Sequence, residues 1–239
     1  MKNFFAQLQE NLGFVAVCAL IIIGIMVLSK LTEHFFPEKR QVSSARRVSI
    51  VGICAAIAAV LHIFDFPLLF MAPGFYKLDF SELPVLLCGF YLGPTAAVTT
   101  EAVKILLKLM IKSTSTAFVG DFANFVVGCS MVLPATIWYH VRRSRHNALL
   151  GLIAGTLVMT VFGSLFNAVY LLPKFSQLYG LPLPQIIAMG SQIFGSVHDL
   201  STFVLFCVAP LNLVKGILVS IFTMLLYKKA ARPLFGIHR

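Results

Sequence analysis

Charged residues are scarce in this sequence, and their scarcity argues against a soluble fold. Asp, Glu, Lys and Arg make up 12% of the 239 residues, where a soluble domain has about 25%. Hydrophobic residues make up 59%, and the mean hydropathy is +0.90. Six or seven apolar stretches follow one another, and a helix needs about 20 apolar residues to cross the hydrocarbon core. The sequence therefore predicts an all-α membrane protein.

Motifs of metal sites and of common enzymes are also missing. The five cysteines lie inside apolar runs and show no CxxC or Cys/His spacing, so neither a metal site nor a disulfide framework is supported. No GxxxxGK[ST] motif is present, which excludes a P-loop ATPase. HExxH and GxSxG are absent as well. The sequence predicts no catalytic residues, no metal and no cofactor, and hence a protein that is not an enzyme.

Hydropathy predicts seven membrane spans with short connections. The predicted spans are residues 12–31, 48–64, 81–92, 95–111, 121–141, 148–172 and 203–227. The first is too long for a signal peptide and lacks a cleavage site, so we expect it to be retained. Residues 173–190 contain three prolines and are predicted as an outer loop. Residues 191–203 are predicted as a short interfacial helix.

The net charge of +10 gives the predicted orientation. Lys and Arg collect in the linker 37–47, the turn 142–147 and the tail 228–239. Because each predicted span crosses the membrane once, these three segments fall on the same side of it. Basic residues favour the cytoplasmic side of membrane proteins. The chain is thus predicted to begin outside and end in the cytoplasm, with loop 65–80 facing outside.

Ionisable residues inside the predicted spans are functional candidates, because burying a charge in the bilayer is costly. Glu101, Lys104 and Lys108 fall on one helix face at positions i, i+3 and i+7. Glu101 and Lys104 are expected to form an ion pair, and the roles of all three stay open. His62 and Asp65 are expected to form only a local hydrogen bond.

Polar residues near helix breaks are candidates for ligand contacts. Asn212 and Lys215 follow Pro210, which is expected to break or kink the last span. Asn167 lies near the outer end of the sixth span, where a hydrogen bond between helices and a ligand contact are equally compatible with the pattern. Many aromatic residues flank these positions and suit either a membrane-interface belt or the walls of a site for a flat ligand.

The stretch KLDFSELP, residues 77–84, concentrates charge in an otherwise apolar chain. Ser81 is expected to cap the next helix, and Glu82 favours the positive end of its dipole. Lys77 and Asp79 then either fix the architecture of an outer lid or touch a ligand.

Five sequence blocks occur in order at plausible spacings. They are FPLLFMAPGFYKLDFSELPVLL, YLGPTAAVTTEAVKILL, GDFANFVVGCSMVLPATIWY, SLFNAVYLLP and PLNLVKGILVSI. Together they resemble the riboflavin-binding S component of energy-coupling factor (ECF) transporters, over about residues 46–230. The resemblance implies a six-helix bundle that binds riboflavin near the outer face under a lid, here loop 65–80.

The resemblance also implies the residues of the site. Its asparagine and lysine positions fall on Asn167, Asn212 and Lys215. The lid adds a further set of expected ligand contacts from neighbouring positions. These are Tyr76, Lys77, Leu78 and Asp79.

The family acts with separate partners, which the resemblance implies for this chain too. An S component docks on a membrane scaffold subunit that carries two cytoplasmic ATPase subunits. Small residues on the first bundle helix form the docking surface, here Gly52, Ala55, Ala56 and Ala59. Such a protein has no cofactor of its own, and riboflavin is its transported ligand.

The resulting division of the chain has three parts. Residues 1–45 hold an extra transmembrane helix and a basic linker, 46–230 the substrate-binding bundle, and 231–239 a cytoplasmic tail. The role of the extra helix stays open, and segment 173–203 looks longer than is usual for the family. Alternatives are an S component for FMN or another vitamin, an intramembrane enzyme using Glu101 or His62, and an ion-driven carrier.

Overall fold

The computed structural model describes residues 12–35, 42–112, 118–179 and 181–230. Its helices are α1 (Leu12–Phe35), α2 (Ser44–Ile63), α3 (Glu82–Leu92), α4 (Pro94–Ile111), α5 (Val119–Val141), α6 (Arg145–Phe166), α7 (Leu172–Tyr179), α8 (Leu183–Ser191), α9 (Leu200–Phe203) and α10 (Ala209–Ala230). Two short strands, β1 (Phe66–Pro67) and β2 (Lys77–Leu78), precede α3. The predicted tail 231–239 and part of the linker 37–47 lie outside the described residues.

All seven predicted spans appear as helices. Five helical stretches in the described part of the chain are long and apolar enough to cross a membrane. They are Cys18–Phe35, Ser44–Ile63, Val119–Val141, Arg145–Gln177 and Leu200–Tyr227. Helix α4 is 18 residues long and carries the charges at Glu101, Lys104 and Lys108.

Helix α3 is too short to cross a bilayer. Its 11 residues extend about 16 Å, roughly half of the ~30 Å hydrocarbon core. The loop before α3 also packs into the bundle, because Leu78, Asp79 and Ser81 are all buried. KLDFSELP is therefore mostly buried in the bundle, and Lys77 at its start is exposed.

The start of α3 differs from the predicted cap. Ser81 stands at the N-cap position, but its side chain makes no capping hydrogen bond. Instead the Ser81 backbone N–H donates to Asp79 Oδ1 at 2.8 Å. The Ser81 hydroxyl accepts from Lys104 Nζ at 3.0 Å. Because the buried Lys104 ammonium needs hydrogen-bond acceptors, the Ser81 hydroxyl bonds to it and does not cap the helix.

The segment predicted as an outer loop, 173–190, is helical over most of its length. Helix α6 continues through a π-helical stretch, Asn167–Leu171, into α7, and α8 follows after a short break. Helix α9 begins at Leu200 behind a capping box, in which Asp199 accepts from the Thr202 N–H. The proline count indicated a loop, but Pro184 lies in the first turn of α8, where the missing N–H costs little, and Pro173 follows the π-helical stretch.

Two stretches of π-helix are each followed by a proline, with a single residue in between. Asn167–Leu171 comes before Pro173, and Val204–Val208 comes before Pro210. A proline inside a helix cannot donate to the preceding turn, and a π-turn is a known way to change the hydrogen-bond register. The helix therefore runs without interruption from Leu200 to Tyr227, and the break expected at Pro210 is absent.

Helix α1 packs on the bundle against α4 and α5. Cys18, Ile21, Ile25 and Met26 of α1 contact a buried cluster that includes Phe122 and Val98. At the other end of α1, Glu33 accepts a hydrogen bond from the Thr95 N–H at 3.0 Å. The extra helix is thus an attached part of the fold.

Candidate ligand-binding site

Residues 64–81 form a lid over one end of the bundle, which we call the hairpin end. Strands β1 and β2 pair antiparallel, with Phe66 opposite Leu78 and Pro67 opposite Lys77. Ala72 and Leu78 are fully buried, so the lid packs into the bundle. Beneath the lid lies a cavity of about 230 Å³.

Aromatic and apolar side chains from the lid and from α7 form one wall of the cavity. The rings of Phe75 and Tyr76 have centroids 4.7 Å apart, and Phe75 stacks on Phe175 at 5.5 Å with 23° between the planes. Leu171 and Leu172 continue this wall. Such a surface is suited to a flat aromatic group.

Asparagine side chains supply the polar part of the cavity. The Tyr76 hydroxyl donates to Asn167 Oδ1 at 2.8 Å, and Asn167 Nδ2 donates to the Gly163 carbonyl at 2.7 Å. Asn167 is therefore already held by protein groups. The amide nitrogen of Asn212 is buried and has no hydrogen-bond partner among the described residues. A buried donor without a partner costs free energy, so Asn212 Nδ2 is available to a ligand oxygen.

A cluster of buried charges lies at the base of the lid. Lys215 Nζ donates to Asp79 Oδ2 at 3.1 Å and to Glu82 Oε1 at 3.1 Å. Lys104 Nζ lies 3.5 Å from Glu82 and forms an ion pair with Glu101. The predicted pairing of Glu101 with Lys104 is confirmed. Because these charges are shielded from water, each depends on its partners for stability.

Asp79 is the lid residue that joins this cluster. Burial disfavours its charged form, but the Lys215 ammonium, then His62 and then Lys104 outweigh burial and hold the pKa of Asp79 well below its usual range. His62 Nδ1 lies 3.4 Å from Asp79 Oδ2. The expected local bond between His62 and Asp65 is not found; Asp65 pairs with Lys77 instead.

Further ion pairs surround the cavity. Lys108 Nζ donates to Asp121 Oδ1 at 2.5 Å, which ties α4 to α5. Lys77 Nζ donates to Asp65 Oδ1 at 3.1 Å, and Lys112 Nζ lies 3.9 Å from the same oxygen. Lys108 and Lys112 thus both lie beside the cavity, within ion-pair distance of an aspartate.

The structure brings most of the predicted contact residues together. Tyr76, Lys77, Asp79, Asn167, Asn212 and Lys215 all line the cavity. Leu78 does not, because its side chain is 0% exposed and packs inside the bundle. Sequence reasoning missed Asn124 and Phe175, which also line the cavity. Asn124 lies in the block GDFANF and could have been noticed as a polar residue in an apolar span.

The predicted docking stripe is divided between two faces of α2. Ala55 and Ala59 are 0% and 1% exposed and pack inside the bundle, so they cannot meet a partner in this arrangement. Gly52 and Ala56 are exposed, and nothing in the described structure lies within 4 Å of a Cβ placed on Gly52. The outward surface is flanked by Ile53 and Ile57, which are also exposed.

The fold and the cavity define the class of this protein: a multi-pass helical membrane protein with a ligand-sized cavity beneath a folded lid. Residues 46–227 match the family model described as the ECF transporter, substrate-specific component. The chain belongs to this family. It is a transporter component, and the predicted fold class, an all-α membrane protein with an S-component-like bundle, is confirmed.

Named relatives agree with this assignment. The chain is 33% identical over 194 residues to the riboflavin transporter RibU of Staphylococcus aureus (strain TCH60), covering 81% of this chain and 95% of that protein. It is 29% identical to the riboflavin transporter FmnP of Bacillus subtilis (strain 168), covering 77% and 91%. A solved structure of the S component of a bacterial ECF transporter matches with a TM-score of 0.64 and 34% identity, covering 80% of this chain and 98% of that chain.

Another relative bears on the extra helix. The riboflavin transporter RibU of Streptococcus thermophilus (strain ATCC BAA-250 / LMG 18311) is 26% identical over 228 residues, which is 95% of each chain. A match of this length extends into α1. The family therefore includes another member whose sequence aligns with this helix.

Proposed function

We propose that this chain is the riboflavin-binding subunit of an ECF importer and mediates riboflavin uptake with an ATPase module supplied in trans. The relatives named above as riboflavin transporters support the choice of ligand. The observation that carries the proposal is the unpaired amide nitrogen of Asn212, which lies in a cavity with an aromatic wall. Riboflavin is a flat, uncharged ring system that bears carbonyl oxygens and a hydroxylated chain.

The cavity offers a matching surface for each part of the ligand. We assign the ring system to the wall of Phe75, Tyr76 and Phe175, and a ring oxygen to Asn212 Nδ2. Lys215 has three N–H donors and uses two on Asp79 and Glu82, so one remains for a ligand oxygen. Asn167, already held by Tyr76, keeps an acceptor lone pair for a ligand hydroxyl.

The remaining lid residues have supporting roles in the proposal. Lys77 stands beside Asp65 at the edge of the cavity and faces the hydroxylated chain. Asp79 anchors the lid to Lys215 and orients it. Leu78 holds the lid through its buried side chain and offers the ligand only its main chain.

The partners follow from the family. We propose that the scaffold subunit contacts the exposed surface of Gly52 and Ala56 on α2, where small residues permit close approach of a helix. ATP hydrolysis takes place in the two ATPase subunits, and this chain has no catalytic role.

The residue division into 1–45, 46–230 and 231–239 is part of the same proposal.

The orientation is proposed from charge. The turn between α5 and α6 carries Arg142 and Arg143, Arg145 begins α6, and the hairpin end lies at the opposite end of these helices. Basic connections favour the cytoplasm. The hairpin end and the N-terminus then face outside, and the C-terminus lies in the cytoplasm.

A fluorescence titration tests the ligand assignment. Riboflavin is added to the purified chain in detergent, and quenching of its fluorescence is followed for the wild type, Asn212→Ala and Asn147→Ala. We expect saturation at one ligand per chain and about tenfold weaker binding for Asn212→Ala, since one buried hydrogen bond is lost. Asn147 is a matched control, because its amide bonds the Arg142 carbonyl at the far end of the bundle.

The possible results separate the alternatives. If the folded wild type gives no saturable quenching, riboflavin is excluded as the ligand. Equal weakening by the two variants would contradict the assigned site. Competition with FMN in the same assay decides between the two flavins, because a phosphate would have to lie near Lys77 and Lys112 at the rim.

A further inference from the structure

A second concave surface lies on the membrane-facing side of the bundle, away from the cavity. It is a groove of about 600 Å³ between α6 and α10. Its walls are Leu149, Ile153, Thr156, Leu157, Leu213, Ile217, Ser220, Ile221, Met224 and Leu225. Eight of these ten side chains are apolar, and none is charged.

The groove arises where two helices meet closely at one point. A Cβ on Gly216 of α10 would lie 2.6 Å from the Thr156 methyl carbon of α6, so a larger residue could not fit between the helices. The Thr156 and Ser220 hydroxyls lie 3.2 Å apart and satisfy each other. The two polar groups in the groove are thus paired, and its remaining surface offers only dispersion contacts. Such a surface suits a hydrocarbon chain.

One end of the groove is basic. Arg145, Leu149, Ile153 and Leu157 follow one another at intervals of four residues and so share a face of α6. Arg145 is exposed, as are Arg142 and Arg143 in the adjoining turn.

The basic end of the groove has no acidic residue nearby in sequence. Asp199 is the only acidic residue that follows Asp121 in the whole chain, and it caps α9 at the other end of its helix. Glu33, at the same end of the bundle, already pairs with Arg47 at 3.6 Å. Among the described residues no acidic side chain pairs with Arg145, so its guanidinium is open to an anion from outside the bundle.

We propose that this groove is a binding site for an anionic phospholipid. One acyl chain lies between α6 and α10, and the headgroup phosphate pairs with Arg145. In the proposed orientation this lipid belongs to the cytoplasmic leaflet, where basic sites between helices attract anionic headgroups. The inference does not depend on the identity of the transported ligand.

Native mass spectrometry of the purified full chain tests the proposal with two lipids of identical acyl chains, phosphatidylglycerol and phosphatidylcholine. We expect the wild type to retain phosphatidylglycerol about fivefold better, as one basic side chain at a membrane surface provides. Arg145→Gln should remove this preference. Arg46→Gln is the matched control, because Arg46 is also exposed and basic but lies on α2. Ile153→Trp should lower the binding of both lipids by filling the groove.

Two results would overturn the proposal. One is equal retention of both lipids by the wild type; the other is an unchanged preference in Arg145→Gln that elutes as a folded monomer. A photocrosslinking amino acid in place of Leu157, in native membranes, tests the other occupant. Crosslinks to phospholipid support the proposal, whereas crosslinks to the scaffold subunit alone would assign the groove to that partner instead.

Discussion

Lys215 binds Asp79 and Glu82 with one ammonium group, and this three-residue contact joins α10, the lid and the first turn of α3. Lys104 adds a second ammonium beneath it, paired with Glu101. Removing one member of such a buried set leaves an unpaired charge, which costs far more than the pair contributes relative to apolar residues. The side chains of the cluster therefore act on the lid as a unit.

Replacing Asp79 by Asn tests the importance of the lid anchor. The variant leaves Lys215 with Glu82 alone and weakens the acceptor of the Ser81 N–H. We expect a loss of roughly 3–5 kcal/mol in the free energy of unfolding. Thermal unfolding followed by the fluorescence of Trp138, the single tryptophan, measures it.

Asp65→Asn is the matched control for the lid anchor. Asp65 lies in the same lid and also pairs with a lysine, but both side chains are partly exposed. Such pairs contribute about 0–1 kcal/mol. A loss for Asp79→Asn no larger than that for Asp65→Asn would show that the lid is held by its apolar contacts alone.

The low pKa of Asp79 gives the pH dependence of this contribution. A carboxyl whose folded pKa is depressed contributes its full stability above the unfolded pKa, about 3.9, and loses it as pH falls toward the folded pKa. The difference in unfolding midpoint between the parent and Asp79→Asn should stay constant from pH 8 to pH 5 and shrink only in stronger acid. The comparison is made in a His62→Gln background, which removes the imidazole that lies 3.4 Å from Asp79. A difference that shrinks already near neutral pH would contradict the assignment.

At the scale of elements, α1 is joined to the bundle because one of its side chains caps the N-terminus of another helix, α4. Helix α4 begins with Gly93 at φ 107° and Pro94, neither of which has a side chain that can accept from the free N–H groups. Glu33 Oε1 accepts from the Thr95 N–H at 3.0 Å and places a negative charge at the positive end of the α4 dipole. The extra helix therefore completes the start of the helix that carries Lys104 and Lys108.

Glu33→Ala should destabilise the protein by about 1 kcal/mol, the usual effect of losing an N-terminal cap. Glu33→Gln keeps an oxygen acceptor without the charge, and we expect it to lose less. Thermal unfolding of the two variants in the same detergent measures both changes. Full stability of Glu33→Ala would show that α1 is held only by its apolar contacts with α4 and α5.

Helix α2, which was predicted to dock on a partner, shows why patterns of small residues are ambiguous at the scale of an element. Small residues on α2 occupy two faces, because Ala55 and Ala59 allow close packing inside the bundle while Gly52 and Ala56 point outward. Composition alone does not tell these uses apart, since both require small side chains. The sequence predicted the stripe but could not divide it.

For the whole molecule, hydropathy predicted the seven long apolar segments that form helices, because contact with lipid requires a continuous apolar stretch of sequence. It could not predict that residues 78–81 enter the bundle, since that position depends on Lys104 and Lys215, which lie far along the chain. Helices α7 and α8 were missed for a similar reason: they are short, rich in proline and held by contacts with the lid and α9. The geometry of the site depends on ion pairs between residues that are distant in sequence, and such pairs cannot be predicted from local spacing.

The close contact of α5 with α6 bears on how the protein is made. A Cβ on Gly155 would lie 2.4 Å from the Met131 carbonyl oxygen, and one on Gly151 would lie 2.6 Å from that of Ala135. Residues 142–144 are the whole connection between the two helices. The pair can therefore close as a hairpin during membrane insertion, while the ribosome is still translating the rest. Asn212 and Lys215 emerge later, so the nascent chain becomes able to hold its lid and its ligand only near the end of synthesis.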